Sequence, residues 1–236
     1  MNQTLMWRDR PVELSFSHRK SIALHVHEGR IEIRAPKQTS LEYARAFLLS
    51  KDQWLARTLT KQATLTSDRI DYSRANTIPF MGIDVRLIRE PVKAKNSWEL
   101  THSGLALHCD DFEDAALVLA LLADFYQKQA HFWLKKKTIT KAQQAGLFEK
   151  LSDIRFRKTK TKWGHCTAQG RIQYNWQIMM APETVIDYLV CHEVSHLKHL
   201  NHSASFWRQV ESLHPNYQND RKWLNENGHR LTLEKR

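Results

Sequence analysis

Cysteine is scarce and scattered. The three thiols, Cys109, Cys166 and Cys191, are odd in number and form no CxxC pair, which argues against a disulfide framework and predicts reduced thiols in a cytoplasmic setting. Long hydrophobic runs are missing too. The longest, at 115–123, is about half of the roughly 18 residues that suggest a bilayer span, and the opening MNQTLMWRDRP has no basic start followed by an apolar core. The chain is therefore expected to be neither secreted nor membrane-spanning. It has no internal repeat, low-complexity tract, clear linker or Walker-type glycine loop. Acids are also short, 25 against 36 Lys and Arg, for a formal charge of +11. That excess calls for an acidic partner, whether nucleic acid, nucleotide or another surface, without choosing among them.

Apolar residues are plentiful enough, at 42%, to bury one sizeable core or two modest ones. Alternation through 12–35 predicts a hairpin, with Ile22, Leu24 and Val26 on one face and Ile31 and Ile33 returning after Glu28-Gly29. Ser40 is expected to cap one helix running through Leu59, with Ala44, Phe47, Leu48 and Leu55 on its apolar side. PFMGIDVRLI and SWELTHSGLALHC follow as strands. Asp111 is expected to open a long helix to about Ala145, with Leu117, Leu121, Phe125 and Phe132 in its buried stripe. DIRFRKT and GRIQYNWQIMM read as strands flanking the turn KWGHCTAQG, and Pro182 suits the first turn of a helix. Ser203 or Ser205 caps another, and a last helix runs from Tyr217 to a stop at Gly228. The expected class is α+β, strand-rich over 1–110 and helical over 111–236, a soft division that leaves one continuous domain open.

The chemistry concentrates in CHEVSHLKHLNH, from Cys191 to His202. On a helix His192 and His196 lie four apart, so both imidazoles leave one face about 6 Å apart and can close on one zinc at about 2.1 Å each. Glu193 is turned about 100° from His192, beside the ion, as HExxH chemistry requires. It also continues an otherwise apolar line, Ile186, Val190, Glu193 and Leu197, where an unpaired carboxylate is costly unless a metal-bound water partners it. A catalytic zinc takes three protein ligands. A straight helix would carry His199 about 10.5 Å from His192, which excludes it. His202 follows Asn201, a residue able to take a left-handed conformation and turn the chain back, and is the expected third ligand. Glu211 and His214 are weaker candidates. Cys191 points off the metal face and is read as packing, and Trp163, Trp176, Trp207 and Trp223 as core or groove wall.

RKTKTKWGHC, RIQYNW, PETVIDYLVCHEVSHLKHLNHSASFW, PNYQNDRKWL and the earlier SHRKSIALHVHEGRIEIRAP resemble the YgjP-like metal-dependent hydrolases, a family of zincin-type metallopeptidase domains. The resemblance covers nearly the whole chain. It implies a zincin-like C-terminal core, zinc on His192, His196 and His202, and Glu193 as general base. The chain departs from the family pattern at His165, where serine is usual in WGSC, and at Val194-Ser195, where Leu-Ala is common.

The expected reaction is attack of an activated water on a peptide carbonyl, with Glu193 taking the proton and returning it to the leaving amine. The strand at Arg171–Asn175 is a candidate to pair with an extended substrate. Candidate oxyanion or substrate contacts are Tyr174, His165, His214 and Tyr217. The acid-free run of Arg155, Arg157, Lys158, Lys160 and Lys162 is a candidate anion contact. Members of the family are also described as UTP pyrophosphatases, so that run suits a triphosphate as a second reading. A nucleic-acid-associated protease, like the SprT-type relatives, is a third, and a purely structural zinc a fourth.

Overall fold

Period-two alternation becomes a four-stranded sheet at the start of the chain. The structure is a computed structural model and describes residues 3–27, 29–67, 69–93 and 95–234. It divides into two compact units, Met1–Arg69 and Ile70–Arg236. In the first, β1 (Gln3–Trp7), β2 (Arg10–Ser17), β3 (Ala23–His27) and β4 (Arg30–Pro36) lie in the order β1-β2-β4-β3. The expected hairpin is β3–β4, with Leu24 opposite Ile33; Glu28 of its turn lies outside the described residues. One face buries Leu5, Val12, Leu14, Ile31 and Ile33 against Ala44, Leu48 and Leu55 of two helices.

Sequence pattern predicts those two helices as one. Ser40 caps α1 (Leu41–Ser50), its hydroxyl accepting from the Tyr43 N–H at 3.2 Å. The helix then stops at Lys51, and α2 (Asp52–Ser67) begins. The Ser50 hydroxyl donates to the Phe47 carbonyl at 2.7 Å and the Lys51 N–H to Leu48 at 3.1 Å, tightening the last turn. Trp7 Nε1 and Arg8 both donate to Asp52 at 2.9 Å, fixing the new start where an acid also suits the helix dipole.

The second unit opens with β5 (Thr77–Phe80), β6 (Ile83–Pro91), β7 (Ser97–Thr101) and β8 (Gly104–Cys109), ordered β5-β6-β8-β7. The expected division near residue 110 falls inside this unit because these strands pack on the long helix that follows. Trp98 meets Phe125 edge-on at 5.2 Å and donates to Asp124 at 2.7 Å. That helix, α3 (Ala115–Gln144), is capped by Asp114 rather than opened by Asp111, which instead accepts the Glu113 N–H at 2.8 Å in the preceding turn. Val118, Leu122, Tyr126, Ala130, Leu134, Thr138 and Ala142 form a fully buried line spaced by four. Each step of four advances the line by about 40° around the helix, so Phe132, expected within the stripe, stands outside it at 59% exposure.

A three-stranded sheet comes next, from β9 (Asp153–Arg157), β10 (Gly164–Cys166) and β11 (Arg171–Asn175), in the order β10-β11-β9. The turn KWGHCTAQG thus contains a strand. The expected strand through Met180 ends at Asn175, whose side-chain oxygen accepts the Gln177 N–H at 3.1 Å and starts a 3₁₀ segment at Trp176–Met180. Because β11 is central, both its edges are used and it cannot receive a substrate strand; β10 is the edge that lies against the next helix.

That helix, α4 (Glu183–Ser195), starts after Pro182 and is fastened to α3 by Lys137, whose Nζ lies 2.6 Å from Glu183 and 2.7 Å from Asp187. Ser203 caps α5 (Ala204–Leu213), and α6 (Tyr217–Asn227) stops at Gly228. Strands thus dominate the N-terminal half and helices the C-terminal half. Among the described residues, no helix is long and apolar enough to cross a membrane.

Candidate active site

The end of α4 and the turn before α5 bring three imidazoles together. The ligating atoms of His192, His196 and His202 all lie within 4.8 Å of one another, and the Nε2 atoms of His192 and His202 are 3.1 Å apart. Two ligands held at about 2.1 Å by a tetrahedral ion stand about 3.4 Å apart, so this donor set fits one metal. The His196 ring is oriented by its neighbour's backbone. Its Nδ1 lies 2.8 Å from the His199 carbonyl, which as acceptor leaves the Nε2 lone pair free. Burial, with His196 and His202 adding to it, holds His192 down to about 3, and burial also lowers His196. Both rings therefore keep the neutral form that ligation needs.

His199 stays out of the cluster, though not for the expected reason. α4 ends at Ser195, so no straight helix carries it away; its backbone carbonyl holds His196, and the residue lines another cavity together with Gln209. Nor does Asn201 reverse the chain in a left-handed conformation. Among described non-glycine residues, positive φ occurs at Arg8 and Met81.

Glu193 lies on the buried line expected of it, with Ile186 and Val190 at 0% exposure and Leu197 at 9%, and is itself only 3% exposed. Burial pushes its carboxyl up to about 8, against the pull of Lys162. Its Oε2 has no hydrogen-bond partner among the described residues, an arrangement that costs free energy unless a ligand completes it. Glycine at 164 makes room for it: a β-carbon there would stand 2.5 Å from Cδ and 2.6 Å from Cγ of Glu193.

The histidines and Glu193 share a cavity of about 430 Å³ with Lys162, Trp163, His165, Cys166 and Tyr188. Phe206, fully buried, lies beneath all three imidazoles, with ring centroids 4.9, 4.5 and 4.8 Å from His192, His196 and His202. Trp207 stacks on His202 at 5.7 Å and is itself stacked on Tyr217 at 5.4 Å and covered by Arg221 at 4.6 Å. Thus α5 backs the imidazoles from outside the cavity, and α6 braces α5 and lines the cavity through Leu224.

Other sequence candidates are dispersed. Tyr174 is fully buried with its hydroxyl 2.9 Å from that of Thr138, which removes it from substrate. His214 is bound to Asp220 at 2.6 Å, and Glu211 is exposed on α5. The basic run does not form one anion site: Arg155 pairs with Asp153 at 2.7 Å and Lys158 with Glu234 at 3.3 Å, Arg157 and Lys160 lie exposed outside the cavity, and Lys162 alone lines it. Cys166 and Cys191 are buried free thiols, both pushed up to about 12 by burial. Sequence reasoning misses Tyr188 and Phe206. Tyr188 stands four residues before His192 and could be found from that spacing, whereas nothing in the spacing points to Phe206.

Residues 20–227 match the family described as YgjP-like, metallopeptidase domain. No curated protein matches the chain. Among solved structures, the chain is similar to the metallopeptidase zymogen of Pyrococcus abyssi abylysin, at 22% identity and a TM-score of 0.36, over 39% of this chain and 93% of that one. A likeness that slight carries no weight for the site.

Proposed function

The chain belongs to the YgjP-like metallopeptidase family, a family of metal-dependent hydrolases, and from that premise we propose that it is a zinc-dependent peptidase with a zincin-type site. His192, His196 and His202 hold the metal, and Glu193 manages the proton of the attacking water. The observation that carries this reading is the buried, unpartnered Oε2 of Glu193 beside three converging imidazoles. The bound metal supplies Lewis-acid activation of water and of the substrate carbonyl. Glu193 takes the water's proton and returns it to the nitrogen of the leaving amine. A carboxyl whose burial lifts it to about 8 is matched to that exchange near neutral pH. Gly164 lets this carboxyl stand beside the edge strand β10, along which an extended substrate can lie. Phe206 and Trp207 pack against the imidazoles and hold them in register.

The nucleotide and nucleic-acid readings draw on family resemblance, on the overall charge of +11 and on the basic run at 155–162, and that run is divided between ion pairs and separate surfaces. A direct assay decides. Purified protein offered casein or a peptide library is expected to cleave peptide bonds, and Glu193→Gln to reduce turnover by at least about a hundredfold. Turnover that survives this substitution, or release of pyrophosphate from nucleoside triphosphates with no peptide cleaved, would sink the proposal.

A further inference from the structure

A second, smaller cavity adjoins the histidine cavity and shares the wall 162–165 with it. We propose that it is a carboxylate-binding subsite, selecting substrates that carry an acidic group beside the scissile bond. The inference deepens the peptidase reading and rests on it for the words "scissile bond". The cavity measures about 130 Å³ and is lined by Thr159, Thr161, Lys162, His165, Gln173 and Asn175, with Trp163 and Gly164 completing the wall. Hydroxyls, an ammonium, an imidazole and amides line it, and no Asp or Glu does. Ligand cavities for drug-sized molecules run to about 300–1,000 Å³, so this one suits a side chain or a chain terminus, not a nucleotide.

No ion pair among the described residues neutralises its charge directly, although Glu193, behind Gly164, feels the charge of Lys162. Asp153, the acid on the same sheet face, is occupied by Arg155 at 2.7 Å and Arg171 at 3.4 Å. Lys158 pairs with Glu234, while Lys162 has no ion-pair partner among the described residues. Register places His165 opposite Gln173 and Gln173 opposite Arg155, a row of donors running across the sheet from the β10 edge. The loop that presents Lys162 is fixed from the buried Asn175, whose N–H donates to the Trp163 carbonyl at 2.7 Å and whose side chain donates to the Thr159 carbonyl at 3.0 Å. The Thr159 hydroxyl in turn donates to the Lys162 carbonyl. The backbone of Lys162 is thus anchored while its ammonium stays exposed beside the Thr161 hydroxyl, the His165 imidazole and the Gln173 amide, a set of groups that can receive a carboxylate.

The carboxylate has two sources, an Asp or Glu side chain or a free C-terminus, and four fluorescein-labelled peptides separate them: an internal Glu and its Gln twin, and a free C-terminus and its amide twin. Equilibrium binding is measured on the Glu193→Gln protein, so that turnover does not intervene. One acid is expected to bind about tenfold more tightly than its neutral twin, as a charge-assisted hydrogen bond allows; the pair that discriminates identifies the source. Lys162→Met is expected to bring the twins to parity, Lys162→Arg to keep the preference, and higher salt to narrow it. Twins that bind alike, or a preference that survives Lys162→Met, overturn the subsite. Displacement of the probe by inorganic phosphate or UTP, with no acid preference in either peptide pair, overturns it in favour of a phosphoanion site. Cleavage of the same peptides by wild type separates the two claims. Discrimination without cleavage leaves the subsite and refutes the peptidase; cleavage without discrimination does the reverse.

Discussion

Replacing Glu193 by glutamine in protein stripped of metal by a chelator removes a titrating group while keeping its shape, and the effect on stability has a defined pH dependence. Burial lifts this carboxyl from 4.5 to about 8. Below pH 4.5 folded and unfolded chains both hold the proton; between there and about 8 the folded chain holds it and the unfolded chain has lost it. The state with the extra proton is favoured at low pH, so this group's contribution is full below 4.5 and is lost as pH rises through about 8. At about 1.4 kcal/mol for each tenfold change in acidity, the whole window is worth on the order of 5 kcal/mol, and the span from about pH 5 to pH 8 on the order of 3 kcal/mol. His192 and His196, both held below their ordinary values, titrate in the opposite sense, but they are present in both proteins and cancel in the difference. Urea unfolding at several pH values measures it. The stability of wild type relative to Glu193→Gln is expected to fall by roughly 3 kcal/mol between pH 5 and 8. A difference that does not change with pH refutes the account of Glu193 as a buried, unpartnered carboxyl.

Gly164→Ala should destabilise the fold by about 1–3 kcal/mol through overpacking and abolish peptide cleavage, since the added carbon meets Glu193 directly; thermal melting and the casein assay read both, and unchanged activity would contradict the close approach. Phe206→Ala should cost about 3–5 kcal/mol and weaken metal binding as well, because the ring lies beneath all three imidazoles; a variant that loses stability but keeps full metal affinity would reduce Phe206 to a packing role. His199→Ala should retain wild-type metal content, because the residue contributes its backbone carbonyl to His196, and loss of the metal would show that its side chain matters.

Much of the backbone is legible in the sequence because local patterns specify it. Alternation around Leu24 and Ile33, the caps at Ser40 and Ser203 and the spacing of His192 and His196 each depend on residues a few positions apart. What escapes depends on partners distant in sequence. The break at Lys51 follows from Trp7 and Arg8 holding Asp52, some 45 residues away. The burial of Tyr174 follows from Thr138 on α3, and the exposure of Phe132 from a buried line that winds around a helix of 30 residues. The pairing of Lys158 in the basic run comes from Glu234, near the end of the chain, whereas the pairing of Arg155 with Asp153, two residues before it on the same strand, is within reach of the sequence. Gly164 reads as an ordinary turn glycine until Glu193, on another element, is placed against it.

Zinc content per chain, measured on purified wild type, His202→Ala and Glu193→Gln, tests the central claim most directly. About one zinc per chain is expected in wild type and in Glu193→Gln, since the proposed role of the glutamate is to act beside the metal without holding it, and a clear loss in His202→Ala. Full occupancy in His202→Ala, or loss of the metal in Glu193→Gln, would contradict it.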